Sequence, residues 1–220
     1  MLLKMKDIHK WFGEVHALSD VDFHVDSGDI VGLVGDNGAG KSTLMGILNG
    51  SISKSRGAIY WKGKEAVISS VKDARGLNIE MVYQDQALVD AKTVAENIFL
   101  GREPVKSFGP IKIIDRGEMR KRARETTESL GLEIASPDQE VRFCSGGERQ
   151  GVAIARALHF KAELVILDEP TTALSVKGVE KVLDFIKQLR DEGIACIVIT
   201  HNLEHVYPVS DRIVMLARGK

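Results

Sequence analysis

Residues 30–43 read IVGLVGDNGAGKST. The first five, Ile30 to Val34, are apolar throughout, the pattern of a strand covered on both faces and therefore of a parallel sheet. Directly behind them Gly35, Gly40, Lys41 and Ser42 satisfy the spacing G-x-x-x-x-G-K-[ST]. Glycines let the backbone turn tightly enough for successive N–H groups to point inward at phosphate oxygens, and a helix starting near Lys41 adds the positive end of its dipole. Such a loop is expected to hold a nucleoside triphosphate. Asn37, Gly38 and Ala39 complete the cradle, Lys41 reaches the β- and γ-phosphates, Ser42 offers its hydroxyl to Mg²⁺, and Thr43 donates on the α-phosphate side.

Outward from this stretch, Leu164 to Leu167, Ala195 to Ile199 and Ile213 to Leu216 are likewise continuously apolar and predict further strands of one parallel central sheet. Val21 to Val25 alternates and Ala58 to Trp61 follows a Gly-bounded turn, which suits a half-exposed antiparallel sheet. Val176, Val179, Val182, Leu183, Ile186 and Leu189 share one helical face, and a second helix is predicted over 147–159. Between Ala87 and Arg142 the pattern becomes polar and charge-rich, including a helix from Arg116 to Leu130, with no convincing buried strand. This reads as a helical insertion whose basic residues, balanced by Glu118, Glu125 and Glu128, form a solvated face and not a nucleic-acid site.

Composition is consistent with one core plus a small subdomain: 220 residues, 44% hydrophobic and 5% aromatic. Thirty Lys and Arg against thirty-one Asp and Glu give a formal charge of −1, so no global field draws the chain to nucleic acid or anionic lipid. The longest apolar run, Ile194 to Ile199, is far shorter than the roughly 18 residues of a membrane span. Lys4, Lys6 and Asp7 interrupt the start where an export signal needs an apolar stretch, so a cytoplasmic location is expected. Cys144 and Cys196 match neither a disulfide framework nor a metal-ligand spacing and read as reduced thiols.

A second chemical element is LVILDEP, Leu164 to Pro170, a strand ending in two adjacent carboxylates. Asp168 is placed to hold the Mg²⁺ hydration shell, and Glu169, pointing differently, to polarise a water for in-line attack on the γ-phosphate.

The third is CSGGERQ, Cys144 to Gln150, running into the helix GVAIARAL. It resembles the signature motif, usually LSGGQ, of ATP-binding-cassette (ABC) ATPases. The resemblance covers nearly the whole chain, with seven matched elements in the family's order. It implies an α/β fold: a P-loop NTPase (RecA-like) parallel-sheet core, an N-terminal antiparallel β subdomain and an inserted α-helical subdomain. On that reading residues 1–86 and 158–220 form the nucleotide-binding core with its β subdomain, and 87–157 the helical subdomain carrying the signature. It further implies that Phe12 stacks on adenine, that Gln84 in MVYQD belongs to the glutamine-bearing loop and approaches the metal and the reacting phosphate, and that His201 after ACIVIT contacts the γ-phosphate. Ser145, Gly146 and Gly147 would cap the ATP held by a second copy. Two copies pairing head to tail would enclose two ATP molecules between them, each with Mg²⁺.

Within the family, GDNGAGKS, AENIFLGREP (Ala95 to Pro104) and DEPTTAL are similar to monosaccharide importers of the ribose and fructose type. This implies a peripheral subunit on the cytoplasmic side of the membrane, paired with permease subunits that meet it near 96–104, with a sugar-binding protein in the same system. Some positions depart from the pattern. Cys144 stands for Leu, and Glu148 for Gln, placing a negative charge near the partner's phosphate that is expected to weaken closure unless Arg149 or another cation compensates. Ser175 stands where an aspartate is common, and the chain ends soon after Ile213 to Leu216, so a final strand or helix of the family pattern is expected to be lacking. The alternatives are a soluble cassette ATPase of DNA repair or translation, a transporter of another substrate class, or a regulatory module that binds without hydrolysing. The first lacks the long coiled-coil insertion or tandem cassettes it would want, and Glu169 and His201 argue against the last. No NKxD base-reading motif supports a GTPase.

Overall fold

The computed structural model describes residues 1–84, 87–129, 136–172 and 174–220. The expected helix end at Leu130, Asp85 of MVYQD and Ala173 of the stretch 172–175 lie outside the described residues.

Two sheets organise the fold. The strands β1 (Leu3–Phe12), β2 (Val15–Val25), β4 (Arg56–Trp61) and β5 (Lys64–Glu65) form a four-stranded antiparallel sheet in the order β2-β1-β4-β5. Strands β3 (Ile30–Val34), β6 (Ile79–Val82), β9 (Leu164–Asp168), β10 (Ala195–Ile199) and β11 (Arg212–Met215) form a five-stranded sheet, β11-β3-β10-β9-β6, in which every pairing is parallel. The apolar runs therefore mark what their pattern predicts: β3 and β10 are buried at every residue. One hydrophobic cluster fills the space between the two sheets, with Leu3, Met5, Ile8 and Phe23 meeting Leu33, Ile166 and Ile197. A second covers the other face of the parallel sheet with α6 (Val176–Asp191), through Val182, Phe185, Ile186 and Leu189. The sheet is thus a filled middle layer.

The 87–142 region contains α3 (Val94–Ile98) and α4 (Arg116–Ser129), which pack with α5 (Gly146–His159) around Val94, Ile98, Phe99, Met119, Val141 and Val152. It also contains a hairpin, β7 (Val105–Phe108) and β8 (Ile111–Ile114), that the sequence reading did not place. All four residues of β8 are exposed, so the expectation of no buried strand there holds while the segment is not purely helical. A buried ion pair ties this region to the sheet edge: Arg102 meets Glu80 of β6 at 2.5 Å and lies 4.2 Å over the Phe160 ring. Burial pushes the Glu80 carboxyl up, and the Arg102 and Arg75 charges oppose the shift. Arg102 is the arginine of LGREP, so part of that motif serves to dock the insertion.

Because Ile197 is fully buried in the central strand, Ile197→Ala should lower stability by about 2–5 kcal/mol. Ile113→Ala, on the exposed hairpin, should stay within about 0.5 kcal/mol of the parent. Urea unfolding followed by circular dichroism measures both.

Candidate nucleotide site

In parallel sheets ligands sit beyond the carboxyl ends of the strands, and here β3, β10 and β9 lie side by side, aligning Leu33 with Ile199 and Ile199 with Asp168. The loops leaving these ends enclose a cleft of about 290 Å³ lined by Asn37 to Thr43, Gln84, Asp168, Glu169, Ala17 and Ile199. Nine of the sequence-predicted residues, Asn37, Gly38, Ala39, Gly40, Lys41, Ser42, Thr43, Gln84 and Asp168, thus share one cleft with the predicted base Glu169.

The loop takes its shape from backbone that only glycine supplies cheaply. Gly35 has φ 150° and a Cβ there would stand 2.2 Å from the Leu216 carbonyl oxygen; Gly40 has φ 103° and is pressed against Leu18 and Ala17. Gly40 is also the N-cap of α1 (Lys41–Leu48), and it offers no side chain to the first turn. The contrast with other helices is direct. Ser70, Thr93, Ser145, Ser175 and Asn202 each accept an N–H bond at the start of their helices, whereas α1 presents its first-turn N–H groups to the cleft. That is an anion-binding arrangement. Lys41, only 7% exposed, donates from Nζ to the carbonyls of Gly35 (2.6 Å) and Asp36 (3.1 Å), bonds that a polyanion in the cleft can replace.

Across the cleft, burial pushes the Asp168 carboxyl up, the neighbouring Glu169 charge adds to this, and Lys41 opposes it. The Asp168 carboxylate, Ser42 hydroxyl and Gln84 amide are a set of hard oxygen donors, which suits Mg²⁺ better than a softer metal. Glu169 sits at φ 47°, unusual for a residue with a side chain, and its N–H donates to the Ile199 carbonyl at 2.9 Å. The turned backbone separates its carboxylate from that of Asp168. Oε1 accepts from His201 N–H (3.2 Å) and lies 2.8 Å from His201 Nδ1, while Oε2 accepts from Thr200 Oγ1 at 3.3 Å. His201 reaches the site through Glu169, with its own side chain 65% exposed. Thr200, one residue before the predicted histidine, is a site residue that sequence reasoning missed.

Two predicted groups lie apart. Phe12, at the end of β1, is 49% exposed with Lys10 Nζ 4.8 Å over its ring, and it does not line the cleft. Ser145, Gly146 and Gly147 stand at the start of α5, also off the cleft. A Cβ at either glycine would meet nothing within 4 Å, so nothing packs over these two residues. Ser145 and Glu148 form a capping box, Glu148 Oε2 accepting from Ser145 N–H at 2.7 Å. Arg149 pairs with Asp90 at 2.7 Å, and the Glu148 charge is balanced by its own helix end. Ser175 is the N-cap of α6 and accepts from Gly178 N–H, so the missing aspartate is replaced by a helix-starting hydroxyl. Cys144 packs against the helical cluster, where burial pushes its thiol up.

The chain matches the ABC transporter family over residues 18–172. It is 42% identical to the xylose/arabinose import ATP-binding protein XylG of Sulfolobus acidocaldarius over 219 residues, all of this chain and 86% of that one. It is also 42% identical to the fructose import ATP-binding protein FrcA of Rhizobium meliloti, over 96% of this chain and 83% of that one. The ribose import ATP-binding protein RbsA of Caldanaerobacter subterraneus is 41% identical over 99% of this chain, which spans only 43% of that protein. Among solved structures, the dimeric post-hydrolysis state of the cassette MJ0796 with ADP and phosphate superposes with a TM-score of 0.81 at 28% identity, covering 99% of this chain and 95% of that one. Sequence match, strand order and site geometry agree: the chain belongs to the ABC transporter family, as one of its ATP-binding cassettes.

Proposed function

We propose that the chain binds MgATP in the cleft, hydrolyses it as one of a head-to-tail pair of cassettes, and so energises uptake of a monosaccharide through membrane permease subunits. The observation that carries this is the uncapped start of α1 facing Lys41, Asp168 and Glu169 within one cleft. The backbone N–H groups from Asn37 to Thr43 and the Lys41 ammonium bind the phosphates. Ser42, Asp168 and Gln84 would hold Mg²⁺, which supplies charge neutralisation on the β- and γ-oxygens. Glu169 takes the proton of the attacking water, and His201 and Thr200 fix its carboxylate in position. Phe12, at the exposed end of β1, is the aromatic for adenine.

The uncovered glycines Gly146 and Gly147 beside Ser145 support the pairing, since they line no part of their own cleft and leave room for a phosphate held by another chain. In the pair, each tip closes the other chain's cleft, and loss of the γ-phosphate releases both. Residues 1–86 and 158–220 act as the nucleotide-binding core and 87–157 as the helical subdomain that meets the permease. Sugar uptake rests on the import proteins named above, and the identity of the sugar lies with the permease and a sugar-binding protein. No helix among the described residues is long and apolar enough to cross a membrane, in keeping with a peripheral subunit on the cytoplasmic face.

Lys41→Ala should weaken MgATP binding at least tenfold, read by fluorescent-nucleotide titration; unchanged affinity would remove the cleft from the scheme. Glu169→Gln should keep ATP binding yet slow steady-state phosphate release by about 10²- to 10⁴-fold, equivalent to roughly 3–5 kcal/mol of barrier. A mixture of Lys41→Ala and Ser145→Arg chains should regain turnover that neither has alone, because each mixed pair keeps one intact cleft with an intact tip. A mixture as inactive as its components would rule out the head-to-tail pairing.

A further inference from the structure

A second cluster of chemically capable side chains lies in the antiparallel sheet, away from the nucleotide cleft. His9 of β1 is 6% exposed, and its Nε2 stands 3.0 Å from Asp7 Oδ1 and 3.1 Å from Asp20 Oδ1. Asp7 and Asp20 come from paired strands, and both have left-handed backbone, φ 53° and 54°, at places where the β1–β2 register slips. The irregularity turns both carboxylates toward one ring nitrogen.

Hydrogen bonding alone satisfies this arrangement poorly. An imidazole nitrogen carries one proton, and two carboxylate oxygens compete for it. Arg56 lies 3.1 Å from Asp7 Oδ2, while Asp22 adds a third carboxylate, accepting the Asp7 N–H at 2.8 Å. One cation at the centre would satisfy all three ligand atoms, which lie within 4.8 Å of one another. Their separations of 3.0 and 3.1 Å from Nε2 are a few tenths of an ångström short of the about 3.3 Å edge of a tetrahedron with 2.0–2.1 Å metal bonds, so a small outward movement fits a metal. The other ring nitrogen is prepared as well: His9 Nδ1 faces His16 Nε2 at 3.3 Å, the outer hydrogen bond that orients a metal-ligating imidazole. Trp11 stacks on His16 at 4.3 Å and on His9 at 5.2 Å, holding both rings parallel.

We propose that Asp7, His9 and Asp20 form a site for one divalent first-row transition-metal ion, Zn²⁺ by preference. The His9 imidazole is the borderline donor that favours such an ion over Mg²⁺, two carboxylates complete a ligand set that Zn²⁺ accepts, and the exposed side of Asp20, whose side chain is 71% accessible, leaves room for water as the fourth ligand. The site is separate from the MgATP cleft, so its loss leaves the ATPase reading untouched. It stands two strand positions from Trp11 and the Phe12 end of β1, so occupation stiffens the hairpin that presents Phe12.

The test is calorimetric titration of Zn²⁺ into the full chain, free of nucleotide and Mg²⁺. Wild type should bind one equivalent saturably in the micromolar range, and Asp20→Asn and Asp7→Asn should each weaken binding at least tenfold. His24→Asn, which alters an exposed histidine elsewhere on β2, should bind as wild type does. Titration of wild type with Co²⁺ gives a reading independent of any variant's folding: the visible absorption of a four- or five-coordinate ion should appear at one equivalent. A Co²⁺ spectrum of the fully hydrated ion, no saturable Zn²⁺ binding, or binding equally tight in both aspartate variants would overturn the assignment.

Discussion

The side-by-side pairing of β3, β10 and β9 is the constraint on which the site depends. Their parallel register brings three strand ends to one edge of the sheet, and each end contributes chemistry: the phosphate loop after Val34, the two carboxylates at the end of β9, and Thr200 and His201 after β10. None of these groups is near another in sequence. Burial of continuous apolar runs on both faces aligns the strands, and the site is assembled as a by-product of forming the core.

At that edge the site balances charge without neutralising it. Asp168 and Glu169 are adjacent; both line the cleft, and Glu169, at a left-handed turn, has its carboxylate held by Thr200 and His201. Lys41 is folded onto its own loop, its ammonium held by the carbonyls of Gly35 and Asp36. The signature helix differs in kind, since Glu148 satisfies its first turn from within. One helix start is open to an anion and the other is already occupied by a carboxylate, so a phosphate reaching the second meets the Ser145 hydroxyl and bare glycines more than a free dipole.

The parts of this picture that could be read from the sequence share a physical reason. Strands such as Ile30–Val34 and Ala195–Ile199 are buried on both faces and leave unbroken apolar runs, and the loop after Val34 needs glycine at fixed places. By contrast β1 was not read, because register slips at Asp7 and around Ile8 spoil its alternation, and β8 has no buried face to mark it. Capping signals are legible in the sequence: Thr93 with Glu96 and Ser145 with Glu148 both have the spacing of a capping box. Some side-chain anchors leave no trace in the pattern of their own segment. Asn97, fully buried, accepts from the Val89 N–H and donates to the carbonyls of Val89, Lys92 and Thr93, fastening the segment that follows Gln84. Nothing in AENIF announces that role.

The open first turn of α1 makes the nucleotide a structural component as well as a fuel. In the proposed function its phosphates would supply the acceptors that a serine or threonine supplies at other helix starts, and the folded state would gain free energy in proportion to the logarithm of nucleotide concentration, about 2.7 kcal/mol at a hundredfold excess over the dissociation constant. The durability of the chain is thereby tied to the energy state of its surroundings. On that reading, scarcity of triphosphate would raise the fraction of chains open to unfolding and proteolysis.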